Sequence, residues 1–174
     1  MRAYCGHELG NLEAFALESV DTPTPADGEL LISVEVTALG FVDQLVMRGL
    51  YQIKPPTPFV PGGEIVGTVE AVGQEVSGFA PGQRIAAWQF GGGLAEMAIV
   101  RQDHAVPVPA DLEPAAAASL LLDYLTALLR VVRSRGPQTG AIALGHRSIR
   151  RRGRGGGPAC QCRVSERDWL GFNR

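Results

Sequence analysis

Short runs of alternating and β-branched residues, separated by glycine and proline, make up most of the first 110 residues. Residues 31–39 alternate with a period of two, which predicts a half-buried strand with Ile32, Val34, Val36 and Ala38 on one face. The same reasoning predicts strands at 64–72, 84–89, 94–100 and 104–108. Short strands joined by such turns favour a mainly β fold with some α, organised as a partly open β-barrel.

The apolar spacing becomes helical in two places, which we interpret as peripheral helices. Residues 41–50 predict a short helix that ends at Gly49, and the prolines that follow predict an extended loop. Asp111 is the predicted N-cap of a helix at 115–122, with Pro114 in its first turn. A second helical stretch is predicted at 123–132.

Charge is divided unevenly along the chain. Residues 1–129 carry 5 Lys and Arg against 16 Asp and Glu, while residues 130–174 carry 11 against 2, so −11 and +9 combine to −2. Residues 147–157 are an arginine- and glycine-rich run without apolar periodicity. We therefore predict that residues 146–174 form an Arg/Gly-rich, disordered tail.

The remaining composition favours a protein of the reducing cytoplasm. No apolar run approaches the roughly 18 residues that a membrane span needs, so no membrane association is expected. The first residues lack a basic segment followed by an apolar one, and the three cysteines make no disulfide framework.

An ordered series of motifs identifies a family. The motifs are ALGFVD (38–43), RGLY (48–51), PFVPGGEIVG (58–67), PGQRIA (81–86), GLAE (93–96) and YLTA (124–127). The series resembles the N-terminal GroES-like domain of zinc-independent medium-chain dehydrogenases/reductases of the NADPH:quinone oxidoreductase type. It runs through about three quarters of the chain, and its order is more specific than any single motif.

The resemblance implies hydride transfer from NADPH to a quinone or an activated alkene, in a protein that is a homodimer when intact. It places four residues at the substrate cleft: Phe41, Asp43, Tyr51 and Glu64. It places Tyr124 and Thr126 beside the nicotinamide.

Bare residue chemistry leaves other roles open for several of these positions. Asp43 also suits a structural helix cap, and Tyr51 suits ordinary packing. Trp88 either lines the pocket or belongs to the core.

The resemblance argues against a zinc ion. Zinc-dependent relatives carry a cysteine three residues before the position of Asp43 and a histidine immediately before that of Glu64. Here these positions are Gly40 and Gly63, so thiolate and imidazole ligands are both missing. The three histidines are scattered without ligand spacing. We predict no metal site.

A dinucleotide-binding fingerprint is not evident in the last third of the chain. Residues 137–145 predict a turn and a short strand, but the glycines at 153–157 miss the required spacing, with Pro158 where a glycine is needed. The expected domains are therefore a GroES-like domain at 1–125, a nucleotide-domain remnant at 126–145 and the tail at 146–174. A frameshift or truncation between about residues 128 and 147 would produce this pattern.

Two other functions remain open beside quinone or enone reduction. The chain is alternatively a non-catalytic remnant or binding module, because the cofactor domain is essentially absent. Arginine clusters also attract phosphates, but the tail lacks interleaved aromatic residues, so nucleic acid is not the expected partner.

Overall fold

The computed structural model describes residues 1–135, 142–145 and 160–163. The chain divides into two compact units, Met1–Leu122 and Asp123–Arg174. Nearly all of the predicted strands lie in the first unit, and that unit also contains the candidate site described below. No helix in the described part of the chain is long and apolar enough to cross a membrane.

The first unit is built from seven strands. They are β1 (Arg2–Gly6), β2 (Phe15–Ser19), β3 (Glu29–Ala38), β4 (Glu64–Val72), β5 (Arg84–Trp88), β6 (Met97–Arg101) and β7 (Ala105–Pro107). Five of them form an antiparallel sheet in the order β6-β3-β4-β5-β7, and β1 pairs separately with β2. Single bridges from β1 to Ala95 and Phe59 join this hairpin to the rest. The sheet stays open, which confirms the mainly β, partly open class.

The predicted strands agree with the observed ones to different degrees. The strand predicted at 64–72 matches β4 residue for residue, and those at 31–39 and 84–89 match β3 and β5 within two residues. The strand predicted at 94–100 begins later, at Met97, and a 3-10 turn at Gln102–His104 replaces the start of the last one. Strands β1 and β2 were not predicted.

A β-bulge at Glu35 corrects the predicted face of β3. Val34 pairs with Gly67 while Val36 pairs with Val66, so Glu35 has no partner of its own on β4. Because an extra residue reverses the alternation, Val34 packs on one side of the sheet and Val36 on the other. The prediction that these positions share one face with Ile32 and Ala38 was therefore wrong.

The sheet carries a hydrophobic cluster on each face, and β3 contributes to both. One face carries a cluster of fully buried residues from β3, β4, β5 and β6: Leu30, Ile32, Ile65, Val69, Ile85, Ala87, Ala98 and Val100. The opposite face packs Val66 and Ala86 against Ala117 and Ala118, with Val36 and Ala38 at the margin. The second cluster fixes the start of helix α2 (Pro114–Arg135) on the sheet.

The two helices differ in how well the sequence located them. Helix α1 (Phe41–Met47) ends as predicted, since Gly49 adopts a φ of +64° and its N–H bonds to the Val46 carbonyl. Helix α2 is continuous where two stretches were predicted, and it starts at Pro114. The predicted cap at Asp111 was wrong, because the Glu113 carboxylate accepts the Ala116 N–H at 3.0 Å instead.

The second unit is described only in part. Its strand β8 (Ile142–Gly145) confirms the short strand expected at the end of 137–145. It pairs antiparallel with β9 (Cys160–Arg163). These four residues belong to the segment for which the sequence predicts disorder. The glycine cluster at 153–157 and the other residues of the predicted tail lie outside the described residues.

Candidate functional site

A shallow cleft opens where the start of β4 meets helix α1 and the end of β5. Its lining residues come from α1, the turn before β4, the end of β5 and helix α2: Val42, Asp43, Val46, Phe59, Gly63, Glu64, Trp88, Gln89, Phe90, Gly91 and Leu122. Sheet register explains part of this set. Ala38, Glu64 and Trp88 are partners on three adjacent strands, and directly opposed residues lie on the same face.

Asp43 uses both carboxylate oxygens to hold backbone amides. Oδ2 accepts the N–H of Gly40 at 2.8 Å, and Oδ1 accepts the N–H of Gly62 at 3.0 Å. The first bond caps helix α1, and the second ties that helix to the turn that precedes β4. Asp43 therefore lies in the cleft as a structural anchor whose oxygens are already engaged.

Glu64 is the one charged residue buried in the described part of the chain, with 6% of its surface exposed. Its Oε2 atom accepts the N–H of Leu122, in helix α2, at 3.1 Å. A buried carboxylate requires such partners, because desolvation without them is costly. Glu64 thus joins the first residue of β4 to the helix that covers this face.

Three aromatic rings are in contact along one side of the cleft. The Phe90 ring lies 5.5 Å from Tyr51, tilted by 41°, and 6.0 Å from Trp88 in an edge-to-face arrangement at 74°. Trp88 and Phe90 line the cleft. Tyr51 packs behind them, against the cluster of Phe15, Val46 and Phe59. This geometry gives Trp88 a pocket-lining position, and it gives Tyr51 a packing role adjacent to the cleft.

Glycines allow the backbone at the cleft wall to pack closely. A Cβ at Gly63 would lie 2.5 Å from the Gln89 carbonyl oxygen, and one at Gly91 would lie 2.5 Å from the Val60 oxygen. Gly91 also adopts a φ of +84°. In contrast, the nearest atom to a Cβ at Gly40 would be the Glu64 Oε1, at an ordinary 3.6 Å.

Three other residues singled out from the sequence are not among these lining residues. Phe41 is 73% exposed and is not among the lining residues, although it begins the same helix as Asp43. Tyr124 is half-buried and Thr126 is exposed on the part of α2 that belongs to the second unit.

The sequence did not point to Phe90 or Gln89. Phe90 immediately precedes a run of three glycines and stands two residues after Trp88. An aromatic residue placed at such a turn is the signal that could have identified it.

The cleft is acidic. Its lining contains Asp43 and Glu64 and no lysine or arginine. Pyrophosphate recognition needs backbone amides at a helix N-terminus or basic side chains, so the lining does not fit the phosphates of a dinucleotide. Within the described residues no group of three or more His, Cys, Asp or Glu side chains is placed to hold a metal.

Comparison with known sequences finds one family and a consistent set of relatives. The family of the alcohol dehydrogenase GroES-like domain matches residues 26–110. The chain is 33% identical over 148 residues to the quinone oxidoreductase of Mus musculus, covering 84% of this chain and 45% of the mouse protein. It is 34% identical over 141 residues to that of Sus scrofa, covering 80% of this chain and 43% of the pig protein. The chain thus spans less than half the length of these relatives.

Solved structures also resemble this chain over most of its length. The human synaptic vesicle membrane protein VAT-1 homolog-like protein superimposes with a TM-score of 0.75 at 32% identity, covering 80% of this chain and 45% of the human one. The quinone oxidoreductase of Thermus thermophilus, solved alone and with NADPH, gives a TM-score of 0.69 at 33% identity and covers 80% of this chain and 43% of its own.

Proposed function

We propose, since the chain belongs to the medium-chain dehydrogenase/reductase family through its alcohol dehydrogenase GroES-like domain, that its first unit is the acceptor-binding half of a zinc-independent quinone or enone reductase. The proposed reaction is reduction of a quinone or an activated alkene with NADPH. A cytoplasmic location and a homodimer are parts of the same proposal.

The geometry at Gly63 is the observation that carries this proposal. Zinc-dependent members of the family have a histidine at this position, but here a Cβ would lie 2.5 Å from the Gln89 carbonyl oxygen. A side chain of any size at position 63 would force the backbone at Gln89 to move. The neighbouring Asp43 carboxylate already accepts two backbone N–H groups. These constraints favour a cleft that binds its substrate without a metal ligand set.

The residues of the cleft contribute position and environment rather than a proton donor in this proposal. Trp88 and Phe90 supply an apolar wall for a neutral ring, while Asp43 and Glu64 hold the surrounding backbone in place. Because the lining does not fit the dinucleotide phosphates, we assign NADPH binding to residues beyond the first unit. Tyr124 and Thr126 remain proposed contacts of the nicotinamide.

A second candidate function is acceptor binding without turnover. The acidic lining of the cleft favours it, because the lining contains no basic side chain to hold the phosphates of a dinucleotide. Nucleic-acid binding by the arginine-rich tail concerns residues outside the described part of the chain.

Two titrations on the full 174-residue chain separate these functions. In the first, tryptophan fluorescence is followed as 1,4-naphthoquinone is added to the wild type and to the W88F and W169F variants. Saturable quenching that is lost in W88F and kept in W169F would support binding in the cleft. Absence of saturable quenching in the wild type would overturn the proposed function.

The second titration uses NADPH. Binding at micromolar cofactor, with NADPH consumed only when quinone is present, would establish the reductase. Quinone binding without any NADPH binding at millimolar cofactor would establish the binding module in its place.

A further inference from the structure

We infer that Phe90 determines acceptor specificity, by giving the cleft a preorganised aromatic wall that favours flat, aromatic acceptors over small non-aromatic enones. This inference rests on the proposed function and names the substrate class of that site. It depends on three features of Phe90: an available ring, a fixed backbone and neutral-ligand chemistry around it.

The Phe90 ring is available to a ligand. It lines the cleft with 37% of its surface exposed, although it touches both Tyr51 and Trp88. Tilted and edge-to-face contacts hold a ring in place without stacking a parallel neighbour over it. Phe90 is the most exposed of the lining residues, so its ring is the apolar surface that a ligand in the cleft would meet.

The backbone that carries Phe90 is fixed on both sides. The Gln89 side-chain amide donates to the carbonyl oxygens of Gly91, at 3.1 Å, and Ile99, at 2.8 Å. After Phe90, the N–H of Gly92 bonds to the Val60 carbonyl at 2.7 Å. Gly91 has no room for a Cβ beside Val60 and Phe59. A ring held in this way loses little conformational entropy when a ligand binds, so its contact contributes almost fully to the free energy of binding.

The charges around the ring favour a neutral, electron-poor ligand. Asp43 and Glu64 are the charged residues of the lining, and both engage backbone amides. An anionic acceptor would meet two carboxylates and no cation there, which is unfavourable. A quinone fused to an aromatic ring is neutral and flat, and it can stack on Phe90 or Trp88.

The test measures two dissociation constants by NMR titration of the full chain. The probes are 1,4-naphthoquinone, which is flat and aromatic, and 2-cyclohexen-1-one, which is a small non-aromatic enone. The variants are F90L, which removes the ring but keeps apolar bulk, and F90Y, which keeps the ring. The matched control is F79L, the same change at a residue that packs on the opposite core, away from the cleft.

We expect F90L to weaken naphthoquinone binding about fivefold, the size of one aromatic contact, and to leave cyclohexenone binding nearly unchanged. F90Y and F79L should bind both probes as the wild type does. Equal loss of both probes in F90L, or no loss, would overturn the inference while leaving the proposed function standing. A wild type that binds neither probe would overturn both.

Discussion

The Oε2 atom of Glu64 accepts the backbone N–H of Leu122 at 3.1 Å, across 58 residues of sequence. This bond fastens the first residue of strand β4 to helix α2, at the point where both line the cleft. A charged side chain therefore acts here as part of the scaffold. The contribution of Glu64 can be measured as a change in the free energy of unfolding.

Replacing Glu64 by alanine should lower the free energy of unfolding of the chain by about 2 kcal/mol, since the part-buried bond from the Leu122 N–H to a charged acceptor is lost. Glu64→Gln keeps a carbonyl oxygen at the same place and should lose less. Urea unfolding measures both. Glu70→Ala, at an exposed position of the same strand, serves as the control. Equal stability of the alanine and glutamine variants would contradict the role of this bond.

Asp43→Asn should destabilise the chain by about 1–2 kcal/mol, because one of the two oxygens that accept backbone N–H groups becomes an amide nitrogen. The same substitution at Asp103 removes an exposed pair with Arg101, which solvent screens, and should change stability far less. Thermal unfolding of the two variants provides the comparison. If Asp103→Asn proves the more damaging change, Asp43 is not an anchor.

Gly63→Ala and Gly40→Ala test whether the cleft backbone excludes side chains at the positions of zinc ligands. At Gly63 the added methyl would overlap the Gln89 carbonyl, and we expect a loss of about 1–3 kcal/mol. At Gly40 its contacts would be ordinary, so the loss should be limited to the poorer N-cap preference of alanine, about 0.5–1 kcal/mol. Chemical denaturation gives both values. Similar stability of the two variants would remove the steric argument against a ligand at position 63.

Ionisation of Glu35 should make the free energy of unfolding vary with pH in the acidic range. The Thr68 hydroxyl, which donates to Oε1 at 2.7 Å, is the first cause of a pKa below the ordinary 4.5, and the paired Arg84 guanidinium lowers it further. A carboxyl with a depressed folded pKa stabilises the fold above its unfolded pKa, and this contribution disappears as the pH falls through the folded value. Glu35 therefore stabilises fully at neutral pH; its contribution begins to decline near pH 4.5 and is lost at lower pH, as the pH falls through the folded pKa.

The comparison is between the wild type and Glu35→Gln, with urea unfolding at neutral pH and at several pH values below 4.5. The difference in stability should be largest at neutral pH and should shrink as the pH falls. Glu70→Gln, on the neighbouring strand, controls for the loss of one surface charge. A difference that is constant with pH would show that Glu35 acts through something other than its ionised carboxylate.

Sequence reasoning located most of the large sheet because glycine and proline punctuate it clearly. Both ends of strand β4 were predicted correctly, since β-branched residues fill it and glycines lie on either side. Strands β1 and β2 lack such a pattern. In β1 the buried positions Ala3 and Cys5 are small, so the hydrophobic signal of a half-buried strand is weak.

The candidate site was predictable only as far as the family resemblance extended. Asp43 and Glu64 were placed at the cleft by their motifs, and the structure then revealed the amides that they hold. Phe90 was missed because its position depends on the φ of Gly91 and on the long-range bond from Gln89 to Ile99. The glycine run after Phe90 marks a turn in the sequence, but the bond from Gln89 to Ile99 leaves no local pattern.

The change of face at Glu35 makes β3 a structural element of both cores. Leu30, Ile32 and Val34 pack in the core under the sheet, whereas Val36 and Ala38 pack on the side covered by α2. Loss of packing in either core would displace β3, and this displacement would disturb the packing of the other core. The two halves of the first unit are therefore coupled into a single cooperative folding unit, and a mutation in one core is felt by the backbone that shapes the cleft.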